Sequence, residues 1–177
     1  MKRLPALILA LVLALNFAAC GGNTGLAASD VTLVRKEANF TSLLVPSDFT
    51  EFEDFEGFTV AKAEGASIVI TPIIEQVVSI KEITRDYMVE LVKDSYSNVN
   101  VLKFDNAATI GGTDAVYFLF KGDDNSSNNN NTVCYINLFF TVDGQACEQE
   151  IVFTYNTGVN TSLETNLDTI INSISLE

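Results

Sequence analysis

The chain has 177 residues, a formal charge of −13, 47% apolar residues and neither His nor Trp. That length and apolar content suit one domain with a real core, and exclude both two comfortable domains and a disordered chain. The negative charge excludes nucleic acid and anionic headgroups as partners, and the lack of His excludes Ser-His-Asp catalysis, Cys-His catalysis and every His-containing zinc site.

The first element is a leader. Lys2 and Arg3 form a positive end, residues 4–15 an apolar run, and Phe17-Ala18-Ala19 lead to Cys20. A positive start, an apolar stretch and a small-residue cleavage site make a signal peptide. A membrane anchor needs about 20 apolar residues, whereas this run is shorter and its segment contains Pro5 and Asn16. The site resembles a bacterial lipobox, with Phe17 where Leu is usual. The resemblance implies that Cys20 begins the mature protein and carries a diacylglyceryl group and palmitate-type chains. Two or more such chains hold stably in a membrane, at about 0.8 kcal/mol per buried CH₂. The expectation is an extracytoplasmic protein whose first partner is the lipid bilayer, reached through acylated Cys20. Loss of the leader makes the mature chain two charges more negative.

The chain divides into a signal peptide (1–19), a flexible tether (20–37) and one globular α+β domain (38–177). Gly21-Gly22-Asn23-Thr24-Gly25 opens the tether, which spans roughly 20 Å as a random coil. Residues 40–45 are a candidate strand, stopped by Pro46-Ser47-Asp48. An acidic, Phe-rich stretch follows over residues 49–58. It is either a docking loop or a segment whose Phe rings plug a sheet edge while its carboxylates stay wet. Two runs flank Glu64-Gly65 as a hairpin, and Pro72 ends the second.

Ser79 and Glu82 form an S-x-x-E capping box before a helix, with Val78 and Ile83 as its staple. Ile83, Tyr87, Met88, Leu91 and Val92 make one apolar stripe, read as core. Residues 99–110 and 113–121 form a hairpin around Gly111-Gly112. Residues 116–120 are apolar on both faces, as in a strand covered on both sides. Residues 122–131 are a polar, Asn-rich stretch, expected to be a mobile hairpin tip. Residues 132–142 and 145–155 flank Asp143-Gly144, the strongest short turn signal in the chain. Thr161 and Glu164 form a second capping box, and Leu163, Leu167, Ile170, Ile171 and Ile174 give a stripe facing the sheet.

A two-residue turn at Asp143-Gly144 sets the register. Val142 pairs with Gln145, Phe140 with Cys147, and Cys134 with Phe153. Cys134 and Cys147 then share a face six positions apart, roughly 20 Å, well beyond the disulfide limit of about 7 Å between Cα atoms. Both are expected to be free core thiols. The opposite face carries Tyr135, Asn137, Phe139, Glu148 and Glu150, with Asn137 beside Glu150 and Phe139 beside Glu148. Rings next to carboxylates can line a small site for a cationic or sugar ligand; the alternative is a sheet face half covered by a helix or loop.

The other chemical signals are weaker. An EF-hand loop starting at Asp123 needs Gly at position 128 and Glu at position 134; Asn128 and Cys134 stand there. No metal, cofactor or catalytic residue is assigned.

The order hairpin, helix, four-stranded meander, closing helix resembles the PsbP-like fold family, whose bacterial members include DcrB-type lipoproteins. The pieces are Val45-Pro46-Ser47-Asp48-Phe49, Ile110-Gly111-Gly112-Thr113-Asp114-Ala115, Phe139-Phe140-Thr141-Val142-Asp143-Gly144 and Ile170-Ile171-Asn172-Ser173-Ile174. The resemblance implies an antiparallel sheet of about six to seven strands with helices on both faces. It also implies a mostly non-enzymatic accessory role, with no catalytic motif to transfer. The expected function is a membrane-anchored, non-catalytic binding module for an envelope protein or small ligand. The alternatives are a carboxylate-based envelope enzyme and a passive structural or adhesive surface protein. An enzyme should show a concave polar pocket with converging carboxylates and a raised pKa. A protein-binding module should show a large exposed apolar patch, and a passive protein neither.

Overall fold

A computed structural model describes residues 31–177. The leader, Cys20 and the first part of the tether lie outside the described residues. The elements are β1 (Leu33–Ala38), β2 (Thr41–Pro46), β3 (Glu53–Phe55), β4 (Phe58–Ala63), β5 (Ala66–Ile70), β6 (Ile74–Glu75), a 3-10 turn (Ile80–Glu82), α1 (Arg85–Val92), β7 (Tyr96–Ile110), β8 (Thr113–Asp124), β9 (Asn130–Val142), β10 (Gln145–Asn156), α2 (Thr161–Asn172) and β11 (Ser175–Leu176). The large antiparallel sheet runs β3-β4-β5-β10-β9-β8-β7, with β6 also paired to β10. A second sheet has the order β1-β2-β11.

Alternation along the central strands divides the core in two. Ala115, Tyr117, Cys134, Ile136, Leu138, Ile151 and Phe153 face one way and pack with β2 and α2. Val116, Phe118, Phe120, Val133, Tyr135, Phe139 and Val152 face the other way and pack with Ile83, Met88 and Val92 beneath α1. The sheet is therefore covered on both sides, which is why residues 116–120 are apolar at every position.

The Asp143-Gly144 turn does what its composition dictates. Both residues take positive φ (51° and 85°), as a type I′ hairpin requires. The register follows: Val142↔Gln145, Phe140↔Cys147, Cys134↔Phe153 and Asn137↔Glu150 all pair. Cys134 and Cys147 are buried and free.

Several expectations change. β1 takes up the last five residues of the tether region, pairing from Leu33↔Pro46 to Ala38↔Thr41. Its turn, Asn39-Phe40, has φ of 47° and 69°, a left-handed conformation that a bulky side chain rarely adopts. Phe40 is held there by stacking on Phe140 at 6.2 Å and by a 3.1 Å bond from the Glu177 N–H to its carbonyl. The Ser79–Glu82 box does form, with Ser79 N–H donating to Glu82 Oε2 at 3.3 Å. It closes only the 3-10 turn, because Ile83 turns extended (φ −80°, ψ 102°) to bury its side chain while its carbonyl accepts from Asn106 Nδ2 at 2.9 Å. The helix α1 starts two residues later, capped by Thr84, whose hydroxyl accepts from Tyr87 N–H at 3.2 Å.

The second capping residue also shifts. Asn160 caps α2, its Oδ1 accepting from Leu163 N–H at 2.9 Å, and Thr161 becomes the first helical residue. Asn is the stronger cap of the two. The expected mobile tip at residues 122–131 is a short, bonded turn instead. Strands β8 and β9 extend into it, and buried Asp124 accepts from Ser126 N–H (2.7 Å), Ser126 Oγ (2.6 Å) and Ser127 N–H (3.2 Å). In the acidic stretch, Phe49 and Phe58 are buried, while Glu51, Glu53, Asp54 and Glu56 are exposed.

Candidate functional site: a cleft between α1 and the sheet

Strand β10 carries the site, and its backbone is clamped from both sides. Toward β9, Phe139 pairs with Glu148 and Asn137 with Glu150. On the other side, Thr71 N–H donates to the Glu150 carbonyl (2.9 Å), and Glu150 N–H donates to Thr71 Oγ1 (2.9 Å). β6 continues that edge, with Ile74 opposite Glu148. Glu148 and Glu150 thus project from one face of a fixed strand, about 7 Å apart along it.

α1 lies over this face. Val78, Ile83, Tyr87, Met88, Leu91 and Val116 join Tyr135, Asn137, Glu148 and Glu150 around an open cleft. Its free volume is about 30 Å³, room for roughly two waters. A second hollow of about 50 Å³ lies on the other side of the same carboxylates, walled by Phe58, Thr71, Pro72 and Ile74. The chain between β5 and α1 crosses this region as a strap.

The polar groups of the cleft are unusual in being unpartnered. Tyr135 is 2% exposed, and its hydroxyl has no hydrogen-bond partner among the described residues. Asn137 Oδ1 and Glu150 Oε2 are likewise buried without one. A buried polar atom left unpaired destabilises by about 1–3 kcal/mol, so native structures seldom keep three in one place. Burial pushes the Glu148 carboxyl up to about 7. Burial, reinforced by the charge on Glu148, pushes Glu150 up to about 7 as well. Among the described residues no neighbouring cation offsets the burial of either. Tyr87 reaches the same region: burial raises its pKa, and Glu150 and Glu148 raise it further.

Of the five residues expected on this face, Tyr135, Asn137, Glu148 and Glu150 converge on the cleft. Phe139 shares their face and instead packs into the apolar cluster beneath α1. Tyr87 is the residue the sequence pattern hid. It sits within a helical apolar stripe and reads as core, although a polar tip distinguishes it from the rest of that stripe.

Asp123 accepts from Asn98 Nδ2 (2.7 Å) and Asn130 Nδ2 (2.9 Å), and these bonds lower its pKa. Among the described residues no group of three or more His, Cys, Asp or Glu side chains is placed to hold a metal ion. Burial pushes the Cys134 thiol up to about 12, as for an inert core cysteine.

No protein-family model matches the sequence, and neither does any curated protein sequence. Solved structures do resemble it. LpqN, a protein involved in cell envelope biogenesis of Mycobacterium tuberculosis, superposes with a TM-score of 0.56 at 13% identity, over 83% of this chain and 91% of that one. The Saccharomyces cerevisiae Ran-binding protein Mog1p superposes with a TM-score of 0.50 at 14% identity, over 82% of this chain and 96% of that one. At such identity the likeness shows the fold: an α+β architecture of the PsbP/Mog1 type, built on antiparallel sheets.

Proposed function

We propose that the chain is an extracytoplasmic lipoprotein, tethered through acylated Cys20, and that it acts as a non-catalytic binding module receiving a ligand group in the cleft beneath α1. The observation that carries this reading is the convergence of Tyr135 Oη, Asn137 Oδ1 and Glu150 Oε2, three buried polar atoms without partners, on one open cleft. Groups left in that state call for a partner from outside the fold, an ordered water or a ligand that displaces it. The envelope role stated for LpqN and the Ran binding stated for Mog1p are in keeping with a fold used for accessory and binding tasks.

The cleft has converging carboxylates with raised pKa values, which an enzyme would also need. Two features favour binding over catalysis. Glu148 and Glu150 are both pushed upward chiefly by burial, whereas an acid–base pair is recognised by environments that push two groups apart. Both also project from one strand, so they form a single wall instead of flanking a scissile bond. The exposed large apolar side chains, Val34, Phe40, Phe55, Val77, Leu102 and Val159, are spread over six segments, as on an ordinary surface.

The test uses the full chain in detergent micelles, with the ring signals of Tyr87 and Tyr135 followed by NMR. Small molecules extracted from the membrane fraction should shift both signals saturably, and Asn137→Leu should abolish the shift. Signals that ignore the extract would defeat the reading. Mass spectrometry of Cys20 tests the tether separately: an unmodified thiol, or an uncleaved leader, removes it.

A further inference from the structure

The chemistry of the unpartnered atoms restricts what the cleft can receive. Asn137 Oδ1, and Glu150 Oε2 when the carboxyl is ionised, can only accept hydrogen bonds, and Tyr135 Oη can accept or donate. Glu148 adds a second carboxylate to the lining. An incoming group must therefore bring several donors, and an anion is repelled. When ionised, the two carboxylates carry two negative charges that no cation among the described residues balances. A neutral hydroxyl ligand would satisfy the acceptors and leave that charge uncompensated.

Size restricts it further. A free volume of about 30 Å³ admits a group that replaces one or two waters. A sugar ring is much larger than that, and a planar guanidinium is larger than an ammonium. A calcium ion takes 6–8 oxygen ligands, and the cleft offers two carboxylates with no third acidic, His or Cys side chain placed to complete a metal site among the described residues. The rings of Tyr87 and Tyr135 line the same space, and aromatic faces attract compact organic cations.

We infer that the cleft binds a primary alkylammonium group, its three N–H donors shared among Glu150, Asn137 and the Glu148 or Tyr135 oxygens, with its alkyl stem leaving between Tyr87 and Val78. The inference rests on the cleft being the ligand site proposed above. The titratable groups facing the bound nitrogen are Tyr87 from α1, Tyr135 from β9, and Glu148 and Glu150 from β10. β8 contributes Val116, and the strap contributes Val78 and Ile83, without charge. The charged side chains of α1, Arg85, Asp86 and Glu90, are exposed away from this contact. Burial pushes both carboxyls up to about 7, so affinity for an ammonium should fall as pH drops through that range.

The experiment titrates butylammonium, butanol and Ca²⁺ into the full chain in zwitterionic micelles at pH 8 and pH 5.5, following Tyr87 and Tyr135. Butylammonium stays charged at both values, so any change in affinity belongs to the protein. It should bind saturably at pH 8 and roughly tenfold or more weaker at pH 5.5. Butanol should bind at least about tenfold weaker than butylammonium at pH 8. Glu150→Gln should weaken butylammonium by a similar factor and flatten its pH dependence. Equal binding of butanol overturns the ammonium assignment and leaves the cleft as a ligand site. Ca²⁺ that displaces butylammonium overturns it in favour of a metal. No response to any probe overturns it too, and the membrane-extract titration then decides whether the cleft is a site at all. The contrast between butylammonium and butanol is made on the unaltered protein, so it stands even where the variant does not fold.

Discussion

Three consecutive residues of β10 meet two different environments. Gln149 points to the face covered by the small sheet and α2, and it is fully buried. It accepts from Thr41 Oγ1 (2.6 Å) and donates to the Asn39 carbonyl (2.6 Å) and the Thr71 carbonyl (3.0 Å). Glu148 and Glu150 point to the other face, where Glu150 Oε2 has no partner. The backbone is the same; the packing layer decides. On the closed face a polar side chain is completed within the fold and locks the two sheets together. On the face under α1 the polar groups are held rigidly and left open. Of the buried oxygens unpartnered elsewhere among the described residues, Asp48 and Asp124 each engage their other carboxylate oxygen, and Asn131 Oδ1 lies singly on β9 opposite Asn156, with no second such atom beside it in the strand pair.

The largest expected effect breaks the closed side. Gln149→Leu strands the Asn39 and Thr71 carbonyls and the Thr41 hydroxyl, and should lower stability by about 3 kcal/mol or more. Urea unfolding checks it; a loss below about 1 kcal/mol would mean the face is not sealed by this residue.

Next comes the open side, where the sign reverses. Glu150 has a folded pKa near 7 against a usual 4.5. The folded state therefore binds its proton more tightly than the unfolded state does. That contribution is fully present below about 4.5 and is lost as pH rises through about 7. Glu150→Gln should stabilise the protein at pH 8, by about 1–3 kcal/mol, and have little effect at pH 4. Glu148→Gln should act in the same direction by less, because burial alone raises its pKa. Destabilisation by either substitution at pH 8 would mean that a cation already pairs with the site.

Smaller again is the helix cap on the closed side. Asn160→Ala should cost about 1 kcal/mol, and Thr161→Ala only a few tenths. The reverse order would restore Thr161 as the cap. The smallest perturbation is chemical: in the folded chain Cys134 should resist a thiol reagent, and denaturation of the acylated protein without reductant should expose two thiols, those of Cys134 and Cys147. Finding none would mean that Cys134 and Cys147 are bridged.

This contrast was legible in the sequence wherever one local signal dominated. Asp143-Gly144 fixes a two-residue turn, the turn fixes the register, and the register alone gathers Tyr135, Asn137, Glu148 and Glu150 on one face. The small sheet was not legible, because Asn39-Phe40 is a poor hairpin signal and is held in place by Phe140, Gln149 and the C-terminal Glu177, all distant in sequence. Both helix starts were displaced, for different reasons: Ile83 leaves the helical path to bury itself, a tertiary effect, whereas Asn160 outcompetes Thr161 locally as the stronger cap. Tyr87 was hidden because helical periodicity reports which side faces inward and not what a side chain's tip meets there.

The account turns on whether two uncompensated carboxylates lie in that cleft. A pH titration of the Glu148 and Glu150 side-chain carboxyl carbons by NMR, in the full chain, reads this directly. Both midpoints should lie near 7 and move down when butylammonium is added, since a bound cation favours the ionised form. Midpoints at the ordinary glutamate value, unmoved by the amine, would contradict the account.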